Sequence, residues 1–592
     1  MYSANRLLDQ ERNKKNISQR KLSKGICSSQ MLIKAVNSDS NMEILTFEIL
    51  LERIGRSPEK LEFILSEKEY NNILTRDKIA QAIFEKNFPL AESLLDEYIN
   101  NSNKPSHALQ MYYYRMKAWI FLYLCNYPAA QKYILMAINE TLPGITMSNY
   151  RDYLFSSYEY ENLILLAQIL CESNKTTKAT PILETIFSHA INTISDNLLL
   201  VSILPKCAYI MSTCCKDYIS SDTLINNCEY TIDLMRNEGV LYMLAPLMTN
   251  LIDIYNKNNI SEKASTMIPY RDAINELLNK YAPTFPQNCI FFRLRRASYN
   301  LDTEIIHAER ERLNLSKFEL SKEVYADSNA ISRLGVNAHS PNKSKFNKLM
   351  DCLDICKPRR GGFVLTESFE RLDFFVALRD AATKYDFERI NSLLSENGPY
   401  SLHERRIIET INCIAEAASN LLSSNMATSQ KEHFSVNAPS SLNIDLYARK
   451  PFLEEVYSLV TYLFFVSNTD NVSALHAFQN LYTAFEHSII NPEYTFSSYI
   501  TTIMNYICFT GYELTPEYIK SLSEKGLNAC ILSGNGSSLS GVFGSQARAF
   551  RKKGILDQSL FKSALIFAEL YKEKTAKQFK TLYCQYFPDQ YK

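Results

Sequence analysis

Two clusters of side chains have the types and spacing to read base edges: Arg20, Ser29, Gln30, Met31 and Lys34, and then Ser328, Asn329, Ser332 and Arg333. Gln and Asn can hold adenine through a donor and an acceptor at once, and Arg can hold guanine the same way. Each such contact is worth about 1 to 3 kcal/mol against the wrong base. A third set, Arg115, Asn162, Arg236 and Asn250, suits an extended peptide. An Asn amide bonds a peptide backbone through both its donor and its acceptor, and an Arg fork clamps a carboxylate.

Residues for covalent or metal chemistry do not assemble in this way. His403-Glu404 lacks a second His four positions after the first, and the adjacent Cys214 and Cys215 cannot chelate one ion as a spaced pair does. The run from Gly534 through Gly536 to Gly541 lacks the Lys-Ser/Thr of a phosphate loop and reads as a turn between helices. The 8 His are scattered without local partners. No catalytic residue, metal or cofactor is expected, and the chain reads as a non-enzyme.

The elements that position the two base-reading clusters repeat with a period near 298 residues, each copy opening on the same pattern. Over residues 7–36 the shifted sequence matches at Glu11/Glu309, Arg12/Arg310, Asn16/Asn314, Ser18/Ser316, Leu22/Leu320, Ser23/Ser321, Lys24/Lys322 and Ile33/Ile331. Unrelated segments of that length would share about two, so internal repetition is settled before fold. In each copy an amphipathic helix is followed by a Ser able to cap a second helix, and a third helix begins near Ser29 or after Asp327. Leu22 and Ile33, like Leu320 and Ile331, lie eleven apart, with Val36 or Leu334 one turn on. That spacing predicts a shared core for two helices crossing at a tight turn, with the base-reading clusters outward. Residues 1–37 carry eight Lys or Arg against two acids, with a basic face expected at Arg12, Lys14, Lys15, Arg20, Lys21 and Lys34. Residues 305–335 carry five of each sign, so steep salt dependence is expected of the first copy alone.

The Leu-Ser-Lys of each copy, followed by Ser29-Gln30-Met31-Leu32-Ile33 or by Asp327-Ser328-Asn329-Ala330-Ile331-Ser332-Arg333-Leu334, resembles the lambda-repressor-like (Xre) helix-turn-helix family. Members usually carry Gly at the turn and an acid closing the third helix. Here Cys27 and Tyr325 are expected at the turn, and Asn37 and Gly335 at the close.

After each such unit come a bridging helix, near 43–54 or 345–353, and a turn marked by Pro58 or Pro358. Helical pairs follow. Asn87-Phe88-x-x-Ala91 and Asn126-Tyr127-x-x-Ala130 recur 39 residues apart and look like degenerate tetratricopeptide units, in which a small Ala lets two helices approach closely. The combination over about 300 residues resembles the peptide-pheromone-sensing RRNPP regulators of quorum sensing in Gram-positive bacteria. That resemblance implies double-stranded DNA and a short peptide as partners. It also implies a homodimer, or an intrachain pseudo-dimer of fused protomers.

The 592 residues exceed one core, and the 64 basic and 64 acidic residues leave no global field for nucleic acid or membrane. Only 15 Gly and 19 Pro interrupt apolar residues at helical spacing, so an all-α chain is expected. It divides into a helix-turn-helix domain at 1–66, a TPR-like solenoid at 67–300, a second helix-turn-helix domain at 301–366 and a second solenoid at 367–592. The 14 Cys, with Arg6, Arg12, Lys14 and Lys15 where an export signal would be apolar, are expected to be free thiols in a cytoplasmic protein. Stretches such as 163–170 and 459–466 fall short of the roughly 20 residues of a membrane span, and no membrane is expected. A transcription regulator is the leading expectation. The alternative is a protein-binding adaptor or inhibitor whose helix-turn-helix domains are degenerate.

Overall fold

The computed structural model describes residues 2–38, 42–101, 104–283, 294–324, 343–353, 363–383, 387–396 and 471–588, with residue 331, residue 408 and most of 450–463. The chain is all-α as expected, with four short strands added. The first unit runs β1 (Tyr2–Ser3), α1 (Ala4–Lys14), α2 (Gln19–Ser23), α3 (Ser29–Ser38), α4 (Ile44–Arg53), a 3-10 turn at Pro58–Lys60 and β2 (Glu62–Leu65). Ser18 caps α2, its Oγ accepting from Lys21 N at 3.1 Å. The inward faces of these helices bury Leu7, Leu8, Leu22, Ile26, Leu32, Ala35 and Leu45.

The first arm is five antiparallel pairs: α5 (Glu67–Phe84) with α6 (Phe88–Asn100), α7 (His107–Tyr123) with α8 (Tyr127–Thr141), α9 (Ser157–Glu172) with α10 (Thr176–Thr193), α11 (Asn197–Cys214) with α12 (Ser221–Asn237), and α13 (Leu244–Lys257) with α14 (Ser261–Tyr281). The two units spaced by 39 residues share one turn chemistry. Lys86 and Cys125 take left-handed backbone, and Asn87 and Asn126 then cap α6 and α8 by accepting from Leu90 N and Ala129 N. Ala91, Ala130 and Ala137 are fully buried, which is the close approach their size permits. The α11 helix has the length and apolar composition to cross a bilayer, contrary to the expectation that no stretch would. In this structure 78% of it is buried, and its Lys206 pairs with Glu161 inside the arm.

The second half opens with β3 (Ser298–Leu301), α15 (Asp302–Arg312), α16 (Lys317–Val324), α17 (Lys343–Cys352), β4 (Phe363–Val364), α18 (Phe369–Thr383) and α19 (Phe387–Glu396). It closes with α20 (Asn471–Glu486), α21 (Phe496–Thr510), α22 (Pro516–Leu532), α23 (Leu539–Lys552), α24 (Gln558–Leu570) and α25 (Ala576–Tyr586).

The halves meet in several places, two of them built from paired backbone hydrogen bonds. One is a four-stranded sheet, ordered β1-β4-β2-β3, in which strands of the two halves alternate. There β2 runs parallel to β3 from Glu62↔Ser298 to Leu65↔Leu301 and antiparallel to β4, which pairs antiparallel with β1. The other is a reciprocal pair of backbone bonds between the α12–α13 and α22–α23 turns: Leu241 N donates to Gly534 O at 2.8 Å and Gly536 N to Gly239 O at 2.7 Å. Gly239 stands to Leu241 as Gly534 stands to Gly536. The Gly-rich run is therefore a turn between helices, and it also carries half of an inter-half contact.

Candidate nucleic-acid interface and ligand groove

The first unit holds α3 against α1 and α2, and its candidate face is open. Ser28 Oγ accepts from Met31 N at 3.0 Å and starts the helix; Ser29, half-buried, lies 3.3 Å from Ser23 through their hydroxyls. Arg20, Gln30, Met31 and Lys34 are exposed, Met31 at 62%. Inward packing is set one residue earlier than the spacing predicted: Leu32 and Ala35 fill the core, whereas Ile33 is 38% exposed and Val36 half-buried. The cause is the turn. Gly25, at φ +75°, sits between α2 and α3 and lets Ile26 swing into the core beside Leu22, which rotates α3 by one position. The turn thus does hold a Gly, correcting the expectation that Cys27 marked its absence. A side chain at Gly25 would be driven into the Thr141 carbonyl at the end of α8.

The basic face is narrower than expected. Arg12 is spent on Asp9 and on Ile17 O at 2.8 Å, Lys14 on Glu11 and Glu370, and Lys15 on Ile54 O at 2.6 Å. Arg20, Lys21 and Lys34 stay at the surface. In the second half Ile305, Ile306, Leu320, Val324, Ile331 and Leu349 form a separate small core with Ile64 and Phe452. Its candidates Ser328, Asn329, Ser332 and Arg333 lie outside the described residues.

The first unit is bolted to its arm through one face of α4. Glu48 accepts from Tyr158 Oη at 2.9 Å and Glu52 from Ser157 N at 2.8 Å. Arg53, buried, donates to Glu159 Oε2 at 3.0 Å, to Leu22 O at 3.0 Å, to Lys24 O at 2.7 Å and to Thr141 O at 2.9 Å.

Within the first arm, α5, α7, α9 and α11 enclose a cavity of about 130 Å³, closed by Arg295, Ala297 and Tyr299 ahead of and within β3 and by Tyr494 of the second half. Its cations are each held by a carboxylate, Glu161 being shared by Arg115 and Lys206. Arg115 Nη1 donates to Glu161 Oε2 at 2.7 Å, and Arg76 lies 3.6 Å from Glu48. Arg295 pairs with Asp77 at 2.7 Å. The Arg115 guanidinium stands 5.2 Å over the Tyr158 ring with its Nε unpartnered. Burial pushes the Tyr112 and Tyr299 phenols well up, so both stay neutral.

Of the four expected peptide contacts, Arg115 alone lines this cavity. Asn162 is fully buried beside Glu161, off the cavity wall, with neither amide atom partnered. Arg236 instead caps the end of α24, donating to Leu570 O at 2.7 Å and Glu569 O at 3.3 Å. Asn250 donates to Ser212 Oγ at 2.9 Å and so serves α11–α13 packing. Arg76, Asp77, Glu161 and Lys206 were missed by the sequence reading. Positions 73, 76, 77 and 80 on α5, 112, 115, 116 and 119 on α7, and 158, 161 and 164 on α9 each recur at helical spacing, the signal that marks this wall.

Neither a family model nor a curated protein matches the chain. Among solved structures it is similar to Bacillus thuringiensis PlcR in complex with the peptide PapR7 and DNA, at 13% identity and a TM-score of 0.28, over 48% of this chain and 98% of that one.

Proposed function

We propose that the chain is a DNA-binding transcription regulator whose first unit presents α3 to the major groove and whose first arm senses a short peptide. The observation that carries the reading is the outward face of α3. Gln30, Met31 and Lys34 are exposed on a helix that packs on α1 and α2, and Arg20 is exposed on α2, in the stretch of chain with the strongest local positive balance. The arm supplies a walled cavity with Arg115 on its surface. The interleaved sheet and the reciprocal Gly239 and Gly534 contacts support reading the halves as fused protomers placed for two half-sites.

The adaptor reading draws support from the internal use of Arg12, Lys14 and Lys15. Selection from random duplex DNA separates the two. Enrichment of a two-part motif supports paired readers, a single half-site supports the first unit acting alone, and no enrichment overturns DNA reading in favour of the adaptor. Gln30→Ala must relax specificity at one base, at a cost of about 1 to 3 kcal/mol.

A further inference from the structure

The segment joining the halves, residues 294–299, runs extended between two cavities. Arg295, Ala297 and Tyr299 face the cavity of about 130 Å³, while Arg296 faces one of about 500 Å³ between the first arm, β2 and the start of the second arm. This alternation is that of a strand. The segment is held as a bound peptide is held. Arg296 N and Ala297 N both donate to Glu59 Oε2, at 2.6 and 2.9 Å, and Arg295 N donates to Ser533 O at 2.9 Å. The Arg295 guanidinium pairs with Asp77 at 2.7 Å and lies 4.9 Å over the Tyr494 ring, a box for a cation. Arg296 reaches Glu238 at 3.8 Å on the opposite side.

With the connector in place the smaller cavity, about 130 Å³, has room for about one side chain. With the connector lifted, the two cavities become one groove. We propose that residues 294–299 are an internal occupant of the ligand site, and that the ligand is a short extended peptide with a basic side chain that takes the place of Arg295 between Asp77 and Tyr494. This rests on the reading of the first arm as a peptide sensor. Tyr299 belongs to β3, so displacing the connector also releases the β2–β3 pairing that leads into α15.

The test uses the full chain and an acetylated synthetic peptide, Leu-Arg-Arg-Ala-Ser-Tyr, copied from the connector. Trp119, the single Trp of the chain, lines the smaller cavity and reports occupancy by fluorescence. The peptide is expected to give a saturable signal, about tenfold tighter on the Arg295→Ala chain, where the internal competitor is weakened, and about tenfold weaker on Asp77→Asn. Equal binding of a control with both Arg replaced by Gln, or an affinity unmoved by Arg295→Ala, overturns the proposal. So does the absence of any binding to the Arg295→Ala chain. The readout needs no DNA. Peptide binding without duplex enrichment supports the site and overturns DNA reading alone, and enrichment without peptide binding does the reverse.

Discussion

Arg53→Met tests whether the first unit and its arm are one mechanical body. The guanidinium supplies hydrogen bonds to Leu22 O, Lys24 O and Thr141 O and pairs with Glu159, which is fully buried. Met keeps much of the volume and removes every one of these. Breaking a buried pair from one side costs about 3 to 5 kcal/mol, because the remaining charge stays buried. Glu159 keeps the Ser156 N and Oγ bonds at 2.8 and 2.9 Å, which puts the expected loss near the middle, about 4 kcal/mol. A chain of several bodies does not unfold in one step, so the measurement is local: amide exchange in α2, α4 and the first turn of α9. At about 1.36 kcal/mol per decade, exchange there is expected to quicken by up to about a thousandfold, with α21 to α25 unchanged. Glu159→Gln in the same chain removes the stranded charge and is expected to recover at least about 1 kcal/mol. Acceleration below about fivefold for Arg53→Met, or no recovery in the double variant, would refute the bolt.

Gly25→Ala forces a side chain into left-handed backbone and into the Thr141 carbonyl, and is expected to cost at least about 2 kcal/mol with the loss confined to the first unit, read by the same exchange map. Glu62, beside Asn300, Lys450 and Glu455, is pushed up to about 7 chiefly by burial, as is Asp302 beside Glu67 and Glu69. Both therefore hold protons in the folded chain that the unfolded chain has lost above about pH 4. Local stability around β2 and β3 is expected to fall as pH rises from about 4 to 7 and then level, by on the order of 4 kcal/mol for each group; amide protection factors in β2 and β3 at pH 5.5 and 8 check it, and Glu62→Gln should flatten the slope. Lys21→Ala is expected to reduce the salt slope of duplex binding by about 1 if Lys21 meets a phosphate, measured between 50 and 200 mM salt.

Much of the helical plan was legible because it rests on local chemistry. Ser18 caps where its position before an apolar run predicted, and the Ala positions of the 39-residue units are buried; that Asn87 and Asn126 cap those units is what the structure adds. The repeated residues are informative about folding in a way their identity alone concealed. Arg12 and Arg310 each donate to the carbonyl five residues on, Glu11 and Glu309 are both buried, and Asn16 and Asn314 both take left-handed backbone. These shared residues build the α1–α2 turn. The candidate base-reading residues differ between the copies, Gln30 against Ser328 in the sequence, so repetition here speaks to shared fold and not to shared base recognition.

What was not legible depends on contacts made across hundreds of residues. Nothing local in Arg236 says that its guanidinium will meet the last carbonyls of a helix more than 300 positions away, and by its type it passed equally well for a carboxylate clamp. The same holds for the connector. Its two Arg, an Ala, a Ser and a Tyr read as an unremarkable stretch before a helix, and they acquire meaning when Glu59, Asp77, Glu238 and Tyr494 arrive from separate elements. The small sheet was missed for a related reason: two- and four-residue strands are too short to show a period of two, and their register is set by partners in the other half. Local chemistry therefore specified the helical pairs, while every contact that joins the two halves, and with it the shape of the ligand groove, was written in residues whose partners lie elsewhere in the chain.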